Sequence, residues 1–387
     1  MGALDIDRAG FLQEDELLIF GTSVEKFLEA HAPPERVESW RRDGMVERAF
    51  WREAGEAGLL CLAVPEEYGG PGGDFRHEVV LIEAIARRQV SGFAASLHNA
   101  IVAPYILHYG SEEQKRRWLP KMASGAFVGA IAMTEPGAGS DLQGIRTSAR
   151  LDGDHYVIDG QKTFISNGQL ADLVIVVAKT DPGKGARGVS LVVVETADAP
   201  GFQRGRNLDK IGMEAQDTSE LFFEDVRVPA SNLLGGEDGL GFAQLMQQLP
   251  QERLVIGIGG VAVIERALED TIAYVKERKA FGQRLIDFQN TQFKLAECKT
   301  EATVARVFVD RLIGLHLEGR LDAATASMAK YWVSELENRI VDACLQLFGG
   351  YGYINDYPIA RMFRDSRVQR IYGGANEIMK VLIARTL

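Results

Sequence analysis

The stretch "AMTEPGAGSDL", Ala132–Leu142, is where the character of this chain changes. Two glycines and a serine in an irregular loop free backbone N–H groups to face an anion or a flat polar ring, and the same composition suits a tight interdomain turn equally well. On its N-terminal side, from about Phe11 to Ala123, apolar residues recur at helical spacing, broken by the turn-rich "VPEEYGGPGGDF". On its C-terminal side the text turns to short β-branched runs, "HYVID", "ADLVIVVAK", "GVSLVVVE" and "LFFEDVRV", separated by Asp-Gly, Pro-Gly and Ala-Pro-Gly turns. The loop marks a seam between a helical domain and a β domain. It is not a dinucleotide fingerprint, because no strand and helix flank a G-x-G-x-x-G anywhere, nor a P-loop, because no Gly-Lys-Ser/Thr follows.

After "NLLGGEDGLGF" long helices return. Leu254, Ile258, Val261, Ile264, Leu268, Ile272 and Val275 form one apolar stripe. Val304, Phe308, Leu312 and Leu315 form a second, and Ala329, Val333, Leu336, Ile340, Cys344 and Leu347 a third. Long helices joined by short glycine-containing loops predict a helical bundle. The expectation is an α+β multidomain chain: an N-terminal helical domain over residues 1–125, a middle β domain over 126–236 and a C-terminal four-helix bundle over 237–387.

Bulk properties agree with an ordinary globular protein. A chain of 387 residues with 46% hydrophobic side chains has material for two or three cores. The 43 basic and 54 acidic residues leave a net charge of −11, without the basic patches that nucleic acid or an anionic membrane would require. Three widely spaced cysteines, Cys61, Cys298 and Cys344, read as reduced core thiols and point to a reducing, cytoplasmic compartment. The acidic N-terminal text shows no leader pattern, and no apolar run is long enough to span a bilayer. The six histidines form no Glu-x-x-His or His-x-x-x-His pattern, and no G-x-S-x-G elbow accompanies them, which disfavours metal and serine-hydrolase chemistry.

Four further stretches carry possible chemistry. "GQKTFISNG", Gly160–Gly168, puts Phe164 and Ser166 on one side of a strand by period two, as ordinary packing or as the flank of a planar cofactor. "ERKAFGQRLIDFQ", Glu277–Gln289, ends a helix with basic residues, turns at Gly282 and resumes. "QLFGGYGYINDYPIARMFRD" breaks a helix at Gly349 and Gly350, as a C-cap would, and its glycines equally admit a ligand close to backbone. "LPQERLVIGIGG", Leu249–Gly260, places Pro250 at a helix start and Glu252 in its first turn, where the macrodipole suits a carboxylate.

In this order, "VPEEYGG", "MTEPGAGSD", "FISNG", "RKAFGQ", "QLFGGYGY" and "IYGGANEI" resemble blocks of the acyl-CoA dehydrogenase family over nearly the whole chain. The resemblance implies FAD lying extended between the β domain and the bundle of a homotetramer. Met133 and Thr134 would face the flavin ring, Ser140 a phosphate, and Phe164 with Ser166 the far side of the ring. Arg278, Phe281 and Gln289, with Gln346 and Gly350, would hold pyrophosphate and adenine across a subunit boundary. The implied reaction is α,β-dehydrogenation of an acyl-CoA to a trans-2-enoyl-CoA in fatty acid β-oxidation, with an electron-transfer flavoprotein as partner.

Most members carry the catalytic glutamate directly after the tyrosine of the C-terminal motif, where this chain has Gly373. In a minority, including the long-chain and isovaleryl enzymes, it projects from a bundle helix, and Glu252 occupies that place. The text around it is most similar to the long-chain members. Glu252 is therefore the expected base, the backbone N–H of Gly373 a donor to the developing enolate oxygen, and Arg253 and Tyr372 substrate contacts. The rivals are an oxidase or monooxygenase on the same fold, and a helical interaction protein without FAD.

Overall fold

The computed structural model describes residues 3–4 and 6–387; Met1, Gly2 and Asp5, on which part of the leader reading falls, lie outside them. The first helices are α1 (Asp15–His31), α2 (Pro34–Asp43), α3 (Arg48–Glu56) and α4 (Phe75–Arg88). Asp74 starts α4 with a capping box, its carboxylate taking the Arg76 N–H while the His77 ring accepts from the Asp74 N–H. Next come α5 (Ala95–Leu97), a π-helical turn over His98–Val102, α6 (Ala103–Tyr109) and α7 (Glu112–Ala123). Trp40, Phe50, Trp51 and Phe93 close the core of this part.

Seven strands form the middle sheet: β1 (Gly129–Ala132), β2 (Ser148–Asp152), β3 (His155–Ser166), β4 (Leu173–Lys179), β5 (Val189–Glu195), β6 (Phe202–Asn207) and β7 (Thr218–Pro229). Their order is β1-β4-β2-β3-β7-β6, with β5 on β4. The runs in β4 and β5 are buried along nearly their whole length, as strands covered on both faces must be. The strict alternation expected for Phe164 and Ser166 does not hold. The β3–β7 register shifts between Lys162 and Ile165, and Phe164 takes a left-handed φ of 59°, so its ring is turned outward by a bulge.

The C-terminal part is built on α8 (Gly241–Glu277), α9 (Gln289–Leu317) and α10 (Ala323–Phe348). The short α11 (Pro358–Ser366) and α12 (Asn376–Ala384) pack on α10. Between α8 and α9 stands a two-residue hairpin, β8 (Lys279–Ala280) and β9 (Gln283–Arg284), turning through positive φ at Phe281 and Gly282. The first and third apolar stripes face the bundle core, each fully buried aliphatic side chain there contributing about 1.5–3 kcal/mol. The second does so in part: Leu312 is buried and Phe308 and Leu315 pack against the core, but Val304 is exposed, and the buried face of α9 is carried further by Leu295, Cys298, Ala302, Ala305, Val309 and Ile313. Small residues on that face allow the close approach that a stripe counted from large side chains alone overlooks.

Pro250 is not at a helix start. α8 begins at Gly241, so the proline lies inside the helix, where it withholds one backbone N–H, and Glu252 is well beyond the first turn. Arg306 of α9, almost fully buried, ties the helical parts together through Glu83 of α4 (2.6 Å) and Glu265 of α8 (2.7 Å). All three cysteines are free and buried. Among the described residues no helix is long and apolar enough to cross a membrane.

Candidate active site

Because Glu252 sits in the helix interior, neither a cap nor the macrodipole explains a carboxylate there. It is only 6% exposed, and its Oε1 accepts a hydrogen bond of 2.8 Å from the Tyr105 hydroxyl of α6, itself fully buried. Burial pushes the carboxyl up to about 7, against the opposing pull of the Tyr105 hydrogen bond and the neighbouring Arg253. Arg253 is buried too, donating to Ser327 Oγ at 3.3 Å while its Nε has no partner. A carboxyl that titrates near neutrality inside a mostly apolar wall is the kind of group that can take a proton from carbon.

Ile256, one turn further along α8, touches the place where the C-terminal turn arrives. A Cβ built on Gly373 would run into Ile256 Cδ1, so the turn Gly373–Gly374 lies against the same face of α8 that carries Glu252. Both glycines have positive φ, 61° and 94°, which a side-chain-bearing residue adopts only at a cost. Among the described residues the Gly373 N–H has no hydrogen-bond partner. Tyr372, beside it, donates its hydroxyl to Gln369 at 2.8 Å. The structure thus brings Arg253 and the Gly373–Gly374 turn to the first turns of α10, Arg253 through Ser327 and the turn through Lys330, with Glu252 next to Arg253 on α8.

A second group gathers on the middle domain. The loop after β1 carries Met133, Thr134 and Ser140, and it is joined to β3 by the Thr163 N–H to Thr134 carbonyl bond (2.9 Å). A fully buried Lys162 holds it from below, donating to Met133 O (3.0 Å), Glu135 Oε1 (2.8 Å) and Val177 O (2.7 Å). Burial moves this ammonium down to about 8. Phe164 and Ser166 follow on β3, Phe164 with two-thirds of its surface exposed and Ser166 half-buried. A Cβ on Gly137 or Gly139 would meet nothing within 4 Å, so this backbone is open to an incoming group.

A third group lines a cleft of about 560 Å³ at the end of α8 and α10, among them Tyr274, Arg278, Gln346, Gly350 and Tyr351. The Arg278 guanidinium lies 5.4 Å from the Tyr351 ring centre. Phe281 is not gathered there: it stands at the hairpin tip with 96% of its surface exposed. Gln289, exposed at the start of α9, does not line the cleft either. Among the described residues no three histidine, cysteine, aspartate or glutamate side chains are grouped to hold a metal ion.

Tyr105, Ile256, Lys162 and Lys330 escape the sequence reading. Lys162, between Gln161 and Thr163, leaves no trace in the text, and only Lys330 does, as a charge set in the apolar run "ASMAKYWV"; Tyr105 is distant in sequence from Glu252, and no spacing rule links them.

A helical, β, helical chain with a buried carboxylate on a bundle helix beside a two-glycine turn defines a class of three-domain proteins. The acyl-CoA dehydrogenase N-terminal domain matches residues 14–126, the middle domain 130–226 and the C-terminal domain 239–387. The chain belongs to the acyl-CoA dehydrogenase family, oxidoreductases acting on acyl-CoA. It is 52% identical to the mitochondrial long-chain specific acyl-CoA dehydrogenase of Sus scrofa, over 95% of this chain and 86% of that one. An acyl-CoA dehydrogenase structure from Geobacillus kaustophilus superposes with a TM-score of 0.94 at 50% identity, covering 96% of this chain and 98% of that one. One from Bacillus anthracis complexed with FAD gives 0.89 at 34% identity, covering 96% and 67%.

Proposed function

We propose that this protein is an FAD-dependent acyl-CoA dehydrogenase that forms trans-2-enoyl-CoA from medium-to-long or methyl-branched thioesters and passes electrons to an electron-transfer flavoprotein. The observation that carries the reading is Glu252: a buried carboxyl near neutrality, held by Tyr105, beside a turn whose N–H is free.

The residues present fit FAD. The open glycine backbone of the "EPGAGSD" loop suits phosphate oxygens, the outward ring of Phe164 suits a planar face, and Arg278 with the Gln346–Tyr351 cleft suits a pyrophosphate and an adenine. Met133, Thr134, Ser140, Phe164 and Ser166 would hold the flavin half. Arg278, Phe281, Gln289, Gln346 and Gly350 would hold the adenosine half of a neighbouring subunit in a homotetramer. The full exposure of Phe281 and the exposed Phe293, Val304 and Val307 on α9 support that assembly. Bound FAD supplies the two-electron acceptor.

The rest of the chemistry falls to this chain. Glu252 takes the α-proton, Tyr105 orients its carboxylate, and the Gly373 N–H donates to the thioester oxygen as charge builds there. One such donor is worth about 2.7–4 kcal/mol of barrier. The packed wall about Glu252 excludes water and keeps the carboxylate basic.

The test is a panel of acyl-CoA thioesters with an artificial electron acceptor, run on the wild type and on Glu252→Gln. The variant is expected to keep FAD and bind substrate while losing about 10²–10⁴-fold in turnover. Near-normal turnover in Glu252→Gln would remove the proposed base.

A further inference from the structure

Lys330 of α10 has no exposed surface, yet among the described residues no carboxylate is paired with it, Glu377 and Glu335 acting only from nearby. Its ammonium donates to the Gly374 carbonyl at 2.7 Å and to Asn376 Oδ1 at 2.9 Å. Asn376 is gripped in turn: its amide reaches Ser334 Oγ and Glu335 Oε1, each at 3.0 Å. These contacts clasp the start of α12 onto α10. The segment left between this clasp and the end of α11 contains Tyr372, Gly373 and Gly374.

A turn made of two glycines has little of its own to fix its shape. Both sit in the left-handed region, where glycine has neighbouring wells open to it, and neither Gly373 nor Gly374 donates a hydrogen bond among the described residues. Among the described residues the Lys330 bond to Gly374 O is the one side-chain hydrogen bond on the turn. Burying an ammonium costs several kcal/mol when no anion pairs it, and burial here moves Lys330 down to about 8. An apolar residue would fill this place in a bundle core at lower cost, so the position points to a role for the charge or its hydrogen bonds.

We propose that Lys330 is a positioning residue for the dehydrogenation: by holding the Gly374 carbonyl it fixes the orientation in which the turn presents the Gly373 N–H to the thioester oxygen. This rests on the function proposed above. The geometry of Lys162 offers a parallel within the same chain, since it holds the Met133 carbonyl and so shapes the loop that carries Thr134. A donor displaced by about an ångström loses much of its effect on a reacting centre, on the order of 10²-fold at the upper end.

The experiment uses the FAD-loaded enzyme and Lys330→Met, which keeps most of the side-chain volume. Two readouts are compared. The first is kcat and KM with a good acyl-CoA substrate. The second is affinity for a 3-oxoacyl-CoA, which binds as an enolate and so carries the charge the Gly373 N–H would meet, against affinity for the uncharged enoyl-CoA of the same length. The variant is expected to lose about 10- to 100-fold in kcat and a similar factor in enolate affinity, with KM and enoyl-CoA affinity changed by about 2-fold or less. Unchanged kcat, or equal losses for enolate and enoyl-CoA, would overturn the proposal. Ser334→Ala, which loosens Asn376 without removing the lysine, is the second variant should the first not fold. It is expected to show the same split at about 2- to 5-fold, and no split there counts equally against the proposal. A wild type inactive on every thioester would sink the proposed function itself, whereas an active wild type with an undiminished Lys330→Met sinks only the role of Lys330.

Discussion

Replacing Tyr105 with phenylalanine tests how the proposed base is kept ready. The substitution removes one hydroxyl from a packed site and leaves the ring in place, so the chief change is the loss of the 2.8 Å bond to Glu252 Oε1. That bond stabilises the charged carboxylate, and burial opposes it. A hydrogen bond to a charged group contributes about 1.5–3 kcal/mol, and each pK unit corresponds to about 1.36 kcal/mol, so its loss should raise Glu252 by about 1–2 units from its value of about 7. Arg253 lowers the carboxyl in both proteins and leaves the difference unaffected. The acid limb of kcat/KM should therefore move upward by about 1–2 pH units, with the plateau at high pH nearly intact. At pH 7 the ionised fraction falls from about one half to between a tenth and a hundredth, a loss of about 5- to 50-fold. A pH profile between 6 and 10 on both proteins is the assay. A loss of equal size at every pH would mean that Tyr105 acts on packing alone, and an unmoved acid limb would refute the electrostatic argument.

Other expectations follow from the same geometry. Adding Gly373→Glu to Glu252→Gln should recover little activity, because its Cβ collides with Ile256 and needs a positive φ; shortening Ile256 to Ala as well should recover more, read as turnover of the three variants side by side. Arg278→Ala should lower FAD retention on gel filtration at low salt, by removing a charge-assisted contact from the cleft, and a variant that retains FAD like the wild type would take Arg278 out of the site. Glu337, fully buried with Oε2 unpartnered, is pushed by burial to about 8. The folded state then binds a proton that the unfolded state releases above about 4.5, so this group makes the protein less stable as pH rises from about 4.5 to about 8. Glu337→Gln should flatten that decline in melting temperature, and an unchanged slope would place the titration elsewhere.

The layout of the chain is legible because its signals are local. Runs such as "ADLVIVVAK" announce β4 by β-branching and flanking turns, and the stripe from Leu254 to Val275 announces α8 by its period. What is not legible comes from partners distant in sequence or from backbone bending. Phe164 leaves the pleat because the β3–β7 register slips, which no count along one strand reveals. Val304 looks like part of a core stripe, but the face turned inward is centred on small residues such as Ala302 and Ala305, which leaves Val304 outside it while Phe308, Leu312 and Leu315 keep their contact. Pro250 reads as a beginning because proline suits the first turn, yet apolar packing on both sides of it carries α8 through. At the site, family likeness marks Glu252 by its place in the text. Its burial and its hold by Tyr105 depend on α6 crossing α8, and the two-lysine support of the loops depends on tertiary placement alone.

The proposed base and the proposed oxyanion donor ride on parts of very different construction. Glu252 is embedded in a 37-residue helix anchored in the bundle core, whereas the Gly373 N–H hangs on a two-residue glycine hinge steered from α10. The two meet at Ile256, one turn beyond Glu252, whose Cδ1 lies where a Cβ on Gly373 would fall, so a change of size there is felt by the helix and by the turn together. For an enzyme designer the chain offers a tether for the turn in Lys330 and a shared contact in Ile256 through which helix and turn must be tuned together.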